Sequence, residues 1–324
     1  MTSPAAVAQS RLLAYSPLGF LRGHDDVLME HLREQILESS DATLLRFGSR
    51  AHCWLRRLDW DSRFFGYPVF RLEFAQTGAG WDGIRELADT LRAMQHEVAR
   101  EHGPAYVFGE IPAEDIDVLQ ALGVAGFRLV ETRVTYFLDD VAHFDWTPRY
   151  GVRTATTEDI PDLRRIGREA RNVYDRYHAD PFFGDAIADE YLATYAEESA
   201  KGFADLVLVP EEGDGHPPGA FFTAQITRPP TCPLGMDHSC PLGLTIGRIP
   251  LVAVGAERHG WHLRLMAEMT HLFRERSVDV AYMGTQLTNR AVIHNSEKLG
   301  YRFGRATHVF AMTPAEVELP VRTP

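Results

Sequence analysis

The chain has 324 residues, 45% of them hydrophobic, and its 45 acidic against 33 basic side chains give a formal net charge of -12. That length suits one large or two ordinary cores, with two the better expectation, and the acidic balance argues against a nucleic-acid or anionic-membrane surface, either of which needs basic patches. No apolar run approaches the roughly 18 residues of a membrane span, the start MTSPAAVAQSRLLAYSPLGFL lacks the basic and apolar regions of a secretory signal, and Cys53, Cys232 and Cys240 cannot all pair; the expected home is a reduced cytoplasm.

Residues 1–50 read as an extension with one amphipathic helix near DDVLMEHLREQILESS. A smaller α/β domain is expected over 51–147: HCWLRRLDW as a strand, DGIRELADTLRAMQHEVAREHG as a long helix closed by Gly103, AYVFGEIP as a buried strand, and AEDIDVLQALGVAGFRLVETRVTYFL as helix then strand. DDVAHFDWTPRYG, with Pro148, Gly151 and no periodicity, reads as the linker. Over 148–324 come the strand YGVRTAT, then the helix TEDIPDLRRIGREAR, whose Thr157, Glu158 and Asp159 suit a first turn. The polar-aromatic loop NVYDRYHADPFFGD, the helix ADEYLATYAEESAKG and a hairpin over FADLVLVPEEGDGHPPGAFFTAQITR follow. CPLGMDHSC holds Cys232, His238 and Cys240, but structural zinc takes four ligands in two tight pairs, so a loop without metal is expected. GLTIGRIPLVAV reads as one strand and GAERHGWHLRLMAEMTHLFRERSVD as a loop leading into a long helix. MGTQLTNRAVIHNSEKLGYRFGRATHVF then supplies a strand end, a helix capped by Asn289 and closed by Gly300, and a last strand. LQALGVAGFRLVETRVTYFL and NSEKLGYRFGRATHVFAM share a helix end, Leu-Gly, an aromatic-Arg pair and a strand, which reads as a weak sign of a repeated block.

The element order of residues 148–314, with an anion-accepting turn after a central strand and a late helix opened by Asn289 and ending LGY, resembles the GNAT (GCN5-related) N-acetyltransferases. LDWDSRFFGYPVFRLEF (Leu58 to Phe74), and YDRYHADPFF with GFADLVLV, resemble the nucleotide-sugar members typified by dTDP-fucosamine N-acetyltransferase, which acetylates the 4-amino group of a TDP-4-amino-4,6-dideoxyhexose. The resemblance covers most of the chain after residue 50. It implies an α/β GNAT fold with a mixed central sheet, preceded by a smaller domain that reads as a truncated copy. It implies acetyl-CoA as co-substrate and no metal. It also implies a small-molecule amine acceptor, a nucleotide-linked amino sugar, with no nucleic-acid or membrane partner; a homodimer is one assembly open to such a chain.

Acetyl transfer from coenzyme A to an amine requires that a pyrophosphate be held, a thioester carbonyl polarised, a proton removed and a thiolate protonated. The pyrophosphate is expected at the start of GAERHGWHLRLM, where backbone N–H groups and the helix dipole favour an anion, with Arg258, His259, Gly260, Trp261 and His262 around it. The family's turn reads Q/R-x-x-G-x-G/A; Gly260 takes the first glycine position, His262 replaces the second small residue and Glu257 the leading Gln/Arg, and Arg258, His259 or His262 could add charge. The resemblance further implies that a backbone N–H bracketed by Val252 and Val254 meets the thioester oxygen and that Asn289 contacts the pantetheine arm. The family's tyrosine acid falls on Ser296, whose hydroxyl is too short and too weakly acidic to copy a phenol; His294, Tyr301 and His308 are the other candidate acids. In the polar-aromatic loop, Arg176, Tyr177, His178 and Asp180 are expected to contact the acceptor, arginine being the natural bidentate phosphate partner. Three readings stay open: a transferase for a nucleotide-linked amino sugar, a transferase for a different small amine, and a non-catalytic GNAT-fold binder of coenzyme A.

Overall fold

A computed structural model describes residues 11–211, 217–229 and 242–313; Cys232, His238 and Cys240 lie outside them. In chain order the elements are α1 Asp25–Leu32, β1 Leu44–Phe47, β2 His52–Arg57, α2 Asp59–Phe65, β3 Val69–Gln76, α3 Gly80–His102, β4 Tyr106–Pro112, α4 Ile116–Ala125 and β5 Arg128–Leu138. They continue with β6 Val152–Thr154, α5 Ile160–Glu169, the single turn α6 Arg176–Ala179, α7 Asp185–Glu198, β7 Leu206–Pro210, β8 Ala220–Thr227, β9 Ile246–Ile249 and β10 Val252–Val254. α8 Trp261–Glu275, β11 Val280–Gln286, α9 Arg290–Lys298 and β12 Arg302–Met312 complete the order. The fold is α/β with mixed sheets. Two compact units share the chain: unit 1 holds Met1–Arg133, Ala179–Phe182 and Arg305–Pro324, and unit 2 holds Val134–His178 and Phe183–Gly304.

In unit 1, β1–β2 and β2–β3 pair antiparallel, β3–β4 parallel, and β12 lies antiparallel on β4 with Thr307 opposite Pro112 and Met312 opposite Val107. α3 buries Ile84, Leu87, Ala88, Leu91, Met94 and Val98, a stripe at helical spacing, and ends at Gly103 with φ 78°. The stretch LDW, expected within a strand, instead starts α2, because alternation stops at Arg57 and the carboxylates of Asp59 and Asp61 suit a first helical turn. The Ser62 hydroxyl donates to Leu58 O (2.6 Å) and accepts from Val69 N (2.9 Å), tying that helix to β3. Trp60 stacks on Phe64 and Phe65 on Tyr67, Phe64 and Phe65 meet edge-on, and Tyr67 meets Phe182 edge-on.

In unit 2, β6, β7 and β8 form an antiparallel run, β8 borders both β9 and β10, and β9 pairs parallel with β11. Leu163, Ile166, Ala196, Val207, Val209, Phe221 and Ala253 form its core. Thr156 and Asp159 make a capping box ahead of α5, and Arg153 holds both oxygens of Asp159, which keeps that carboxyl below its usual range. Buried Glu268 on α8 accepts from Nε and Nη2 of Arg149 (2.9 and 2.8 Å) and from Tyr150 N (2.7 Å), fixing the segment before β6.

The repeated segments have matching joints. α4 ends at Gly126 (φ 94°) with Phe127 N bonded to Leu122 O at 2.9 Å, and α9 at Gly300 (φ 84°) with Tyr301 N bonded to Ser296 O at 3.0 Å. Each is a left-handed cap with the bond that reaches back across it, and each feeds an 11-residue strand.

Candidate functional site

The strand expected as one run from Gly243 to Val254 is two. Pro250 has no N–H to give a ladder, and parallel pairing of β9 with β11 stops at Ile249 opposite Met283. Leu251 is drawn to β8: Thr223 N donates to Leu251 O (2.9 Å), and the Thr223 hydroxyl both donates to that oxygen and accepts from Leu251 N (3.0 Å each). β10 then follows β8, with Val252 opposite Phe222 and Val254 opposite Ala220, while β11 runs on to Gln286. Leu251 bonds to β8, and Gly255 N to Gly219 O just ahead of that strand at 2.9 Å. Antiparallel alternation therefore turns the N–H and C=O groups of Val252 and Val254 away from β8, into the seam that β11 has left. The Ala253 side chain packs in the core.

The seam leads to the turn before α8. Arg258 N bonds to Gly255 O (2.9 Å) and Trp261 N to Arg258 O (3.1 Å), and Gly260 sits at φ 86°, a left-handed position open to glycine at no cost. The N–H groups of Ala256, Glu257, His259, Gly260, His262 and Leu263 have no backbone acceptor among the described residues. They gather at the positive end of a 15-residue helix, an arrangement suited to an anion. The Arg258 side chain runs across Gly219, where an added Cβ would come within 2.6 Å of it. Arg264 lies over the rings of Trp261 and Tyr150 (5.2 and 5.5 Å), and His259 is exposed. His262 does not add charge. Its Nδ1 accepts from the Asn295 amide (3.1 Å), its ring meets Phe222 edge-on, and burial pulls it down to about 4. Its Nε2 is buried without a partner among the described residues.

Asn289 caps α9 through Val292 N (3.4 Å). The four candidate acids have different surroundings. Ser296 is fully buried, donates to Val292 O (2.8 Å) and lies beside the sulfurs of Met283 and Met266. Tyr301 is buried with its hydroxyl shared with Thr270 (2.9 Å), and burial pushes its phenol well above the usual range. His308 belongs to unit 1, 3.1 Å from the Thr132 hydroxyl. Of the four, His294 is the exposed one, on α9.

The acceptor residues divide as well. Asp180 lies in unit 1, fully buried, accepting from Tyr106 OH (2.9 Å), Arg128 Nη2 (2.9 Å) and Phe182 N (3.1 Å). In unit 2, Asp175 caps the turn of Tyr177 and His178 and bonds His178 Nδ1 (2.7 Å), while Asp189 meets His178 Nε2 (3.1 Å) and also pairs with Arg171. Burial of the His178 ring opposes its charge, but the hydrogen bonds and charges of Asp175 and Asp189 outweigh it and raise its pKa. His178 is therefore a pin that holds the loop. Arg176 lies over the Tyr177 ring (4.5 Å) and bonds its hydroxyl, and the Tyr177 ring lies tilted against Tyr191.

Sequence reasoning missed Thr223 and Asn172. Asn172 donates to Gln286 Oε1 (2.6 Å), setting the start of the loop at the end of β11, with Val173 and Tyr174 exposed beside it. The available signal for Thr223 was a polar side chain inside an apolar run, AFFTAQIT; the polar end of β11 at Gln286 was read as such.

No family model matches the chain, and no curated protein matches it in sequence. Solved structures do. The chain is similar to a GCN5-related N-acetyltransferase from Sphaerobacter thermophilus, with TM-score 0.55 and 14% identity over 96% of this chain and 94% of that one. It is similar to a tandem GNAT protein from the clavulanic acid biosynthesis pathway, with TM-score 0.51 and 11% identity over 98% of each. It is also similar to a GCN5-related glucosamine N-acetyltransferase region of a fungal multi-domain β-N-acetylglucosaminidase, with TM-score 0.55 and 12% identity over 81% of this chain and 31% of that one. The seam, the amide-rich turn and the capped late helix stand in a chain that has the fold of the GNAT N-acetyltransferases.

Proposed function

We propose that the chain is an acyl-CoA-dependent N-acyltransferase whose reaction takes place in unit 2. The observation that carries this reading is the opened seam between β10 and β11, running into the free amides ahead of α8. Those amides, with Arg258, hold the diphosphate; Val252 and Val254 offer backbone groups to the arm and to the thioester oxygen; Asn289 starts the helix beside them. The amine nitrogen attacks the thioester carbonyl, the C–N bond forms, the C–S bond breaks, the amine loses a proton and the thiolate gains one. Ser296 and Tyr301 have their hydroxyls committed inside the core, so the thiolate takes its proton without a fixed acid from either.

The acceptor in this proposal is a nucleotide-linked amino sugar. That part rests on the resemblance of Leu58–Phe74 and of the loop after α5, and Arg176 is the residue assigned to its phosphates.

Coenzyme A release is measured with acetyl-CoA and a panel of amino-sugar nucleotides, free amino sugars and simple amines. Gly260→Asp puts a carboxylate among the phosphate-binding amides and raises the acetyl-CoA KM at least roughly tenfold through like-charge repulsion; because φ 86° strains any side chain there, Gly260→Asn is the control that shares the strain without the charge. Arg176→Ala raises the acceptor KM by the equivalent of about 1.5–3 kcal/mol and leaves that for acetyl-CoA alone. Ser296→Ala keeps its turnover. No thiol release with any amine, from a chain that binds coenzyme A, would replace the transferase with a binding protein.

A further inference from the structure

Unit 1 also has a parted pair of strands, and an early segment of the same chain fills the gap. β3 and β4 pair parallel only as far as Leu72 opposite Gly109. Beyond that rung each keeps its outer neighbour, Phe74–Gln76 on β2 and Glu110–Pro112 on β12. The turn that leaves β4 is closed by Asp115 N on Pro112 O (3.0 Å), which sets Asp115 just past the end of that strand. Asp115 is 3% exposed, and a carboxylate so buried needs partners that satisfy its oxygens.

Those partners come from residues 11–21. Residues 11–14 form one helical turn, so Arg11 and Tyr15, four apart, leave it on the same face. Arg11 Nη2 donates to Asp115 Oδ1 (2.6 Å) and to Asp117 on α4 (3.1 Å), and Tyr15 OH donates to Asp115 Oδ2 (2.9 Å). The Tyr15 ring meets Phe74 of β3 edge-on, with centroids 4.9 Å apart, and the phenol oxygen accepts a hydrogen bond from the Ala75 backbone N–H. The phenol therefore reaches from β3 to the end of β4, across the place where the two strands have parted. Burial and the Asp115 carboxylate hold it well above the usual phenol range, so it stays a donor. Arg305 on β12 grips the backbone: its Nη1 donates to Ala14 O (3.1 Å) and Ser16 O (2.7 Å), carbonyls left over where the helical turn ends. Leu12, Leu18, Phe20 and Leu21 are buried. At Arg22 and Gly23 the chain comes out into solvent, and no atom lies within 4 Å of a Cβ built on Gly23.

We infer that the parted strands of unit 1 form a peptide-binding groove, and that its occupant is residues 11–21 of this same chain. The groove recognises a helical turn with arginine and tyrosine four residues apart, both delivered to one buried carboxylate, followed by an apolar tail; Arg305 holds the backbone at the end of the turn. Its occupancy does not depend on what unit 2 binds.

A site-specific protease sequence inserted between Arg22 and Gly23 of the full chain tests this. The folded protein is cut there and mixed with a large excess of a fluorescein-labelled peptide of residues 11–22, with circular dichroism as the check on folding. The cut chain exchanges its own segment for the labelled peptide at one equivalent, the uncut chain takes up none, and peptides with Arg11→Glu or Tyr15→Phe bind at least roughly tenfold more weakly. Uptake by cut and uncut chains alike overturns the groove, because in the uncut chain it is already filled. A cut chain that stays folded, sheds its segment and takes up no peptide overturns it as well. A cut chain that unfolds, or keeps its own segment against the excess over days, makes the segment part of the unit 1 core and not the occupant of a groove. Equal affinity for the variant peptides overturns the recognition by Asp115.

Discussion

Thr223→Val lowers the unfolding free energy by about 1–3 kcal/mol and raises the acetyl-CoA KM roughly tenfold, and Thr223→Ser reverses both. Valine matches the shape of threonine but leaves the buried N–H of Leu251 without its acceptor. The stability loss is the cost of that unpaired group. The kinetic loss has a different origin: the Thr223 hydroxyl holds Leu251 against β8, and this sets the direction in which Val252 and Val254 present their backbone groups. Denaturant melts and steady-state kinetics on the three proteins separate the two effects. A Thr223→Val protein that loses stability but keeps its KM would show that the bonds from Thr223 to Leu251 are structural and that the seam is not shaped by them.

His178→Gln costs about 1.5–3 kcal/mol at pH 6, the range for hydrogen bonds to charged groups, and the cost shrinks as the pH rises. The ring lies between Asp175 and Asp189, with Arg171 on the far side of Asp189, and its pKa is raised in the folded chain. A raised folded pKa stabilises fully below the unfolded value near 6.5 and is lost as the pH climbs through the folded value. Urea melts of wild type and variant at intervals from pH 5.5 to 9 should therefore converge on the alkaline side. A gap that holds constant across that range would mean that the ring is neutral throughout.

The long helices were legible because their apolar stripes and left-handed closing glycines are local features; α3 and Gly103 need no partner to be read. Ser296, read from the sequence as the acid position, carried a signal of burial that went unread. Val292, Ser296 and Leu299 repeat at 4 and 3 residues, the spacing of a buried face, and that arithmetic outweighs alignment to a tyrosine. The break at Pro250 was signalled by the proline, but an apolar run on both sides masks it. Asp180 was not legible. Its partners Tyr106 and Arg128 lie 74 and 52 residues away, so a side chain that looks like part of a polar loop turns out to be bonded within unit 1, and no local pattern records that. The same holds for Thr223, whose partner Leu251 lies 28 residues on.

The placement of β12 on β4 has a consequence for how the chain is made. Ribosomes release the chain from its start, and β4 is complete when residue 112 emerges, yet the strand that covers its outer edge, Thr307 to Met312, is synthesised about two hundred residues later, a separation of the kind that slows folding. Through that interval the nascent first unit carries an uncovered strand edge, which invites pairing with neighbouring nascent chains. Shortening the chain ahead of Thr307 would make that interval permanent.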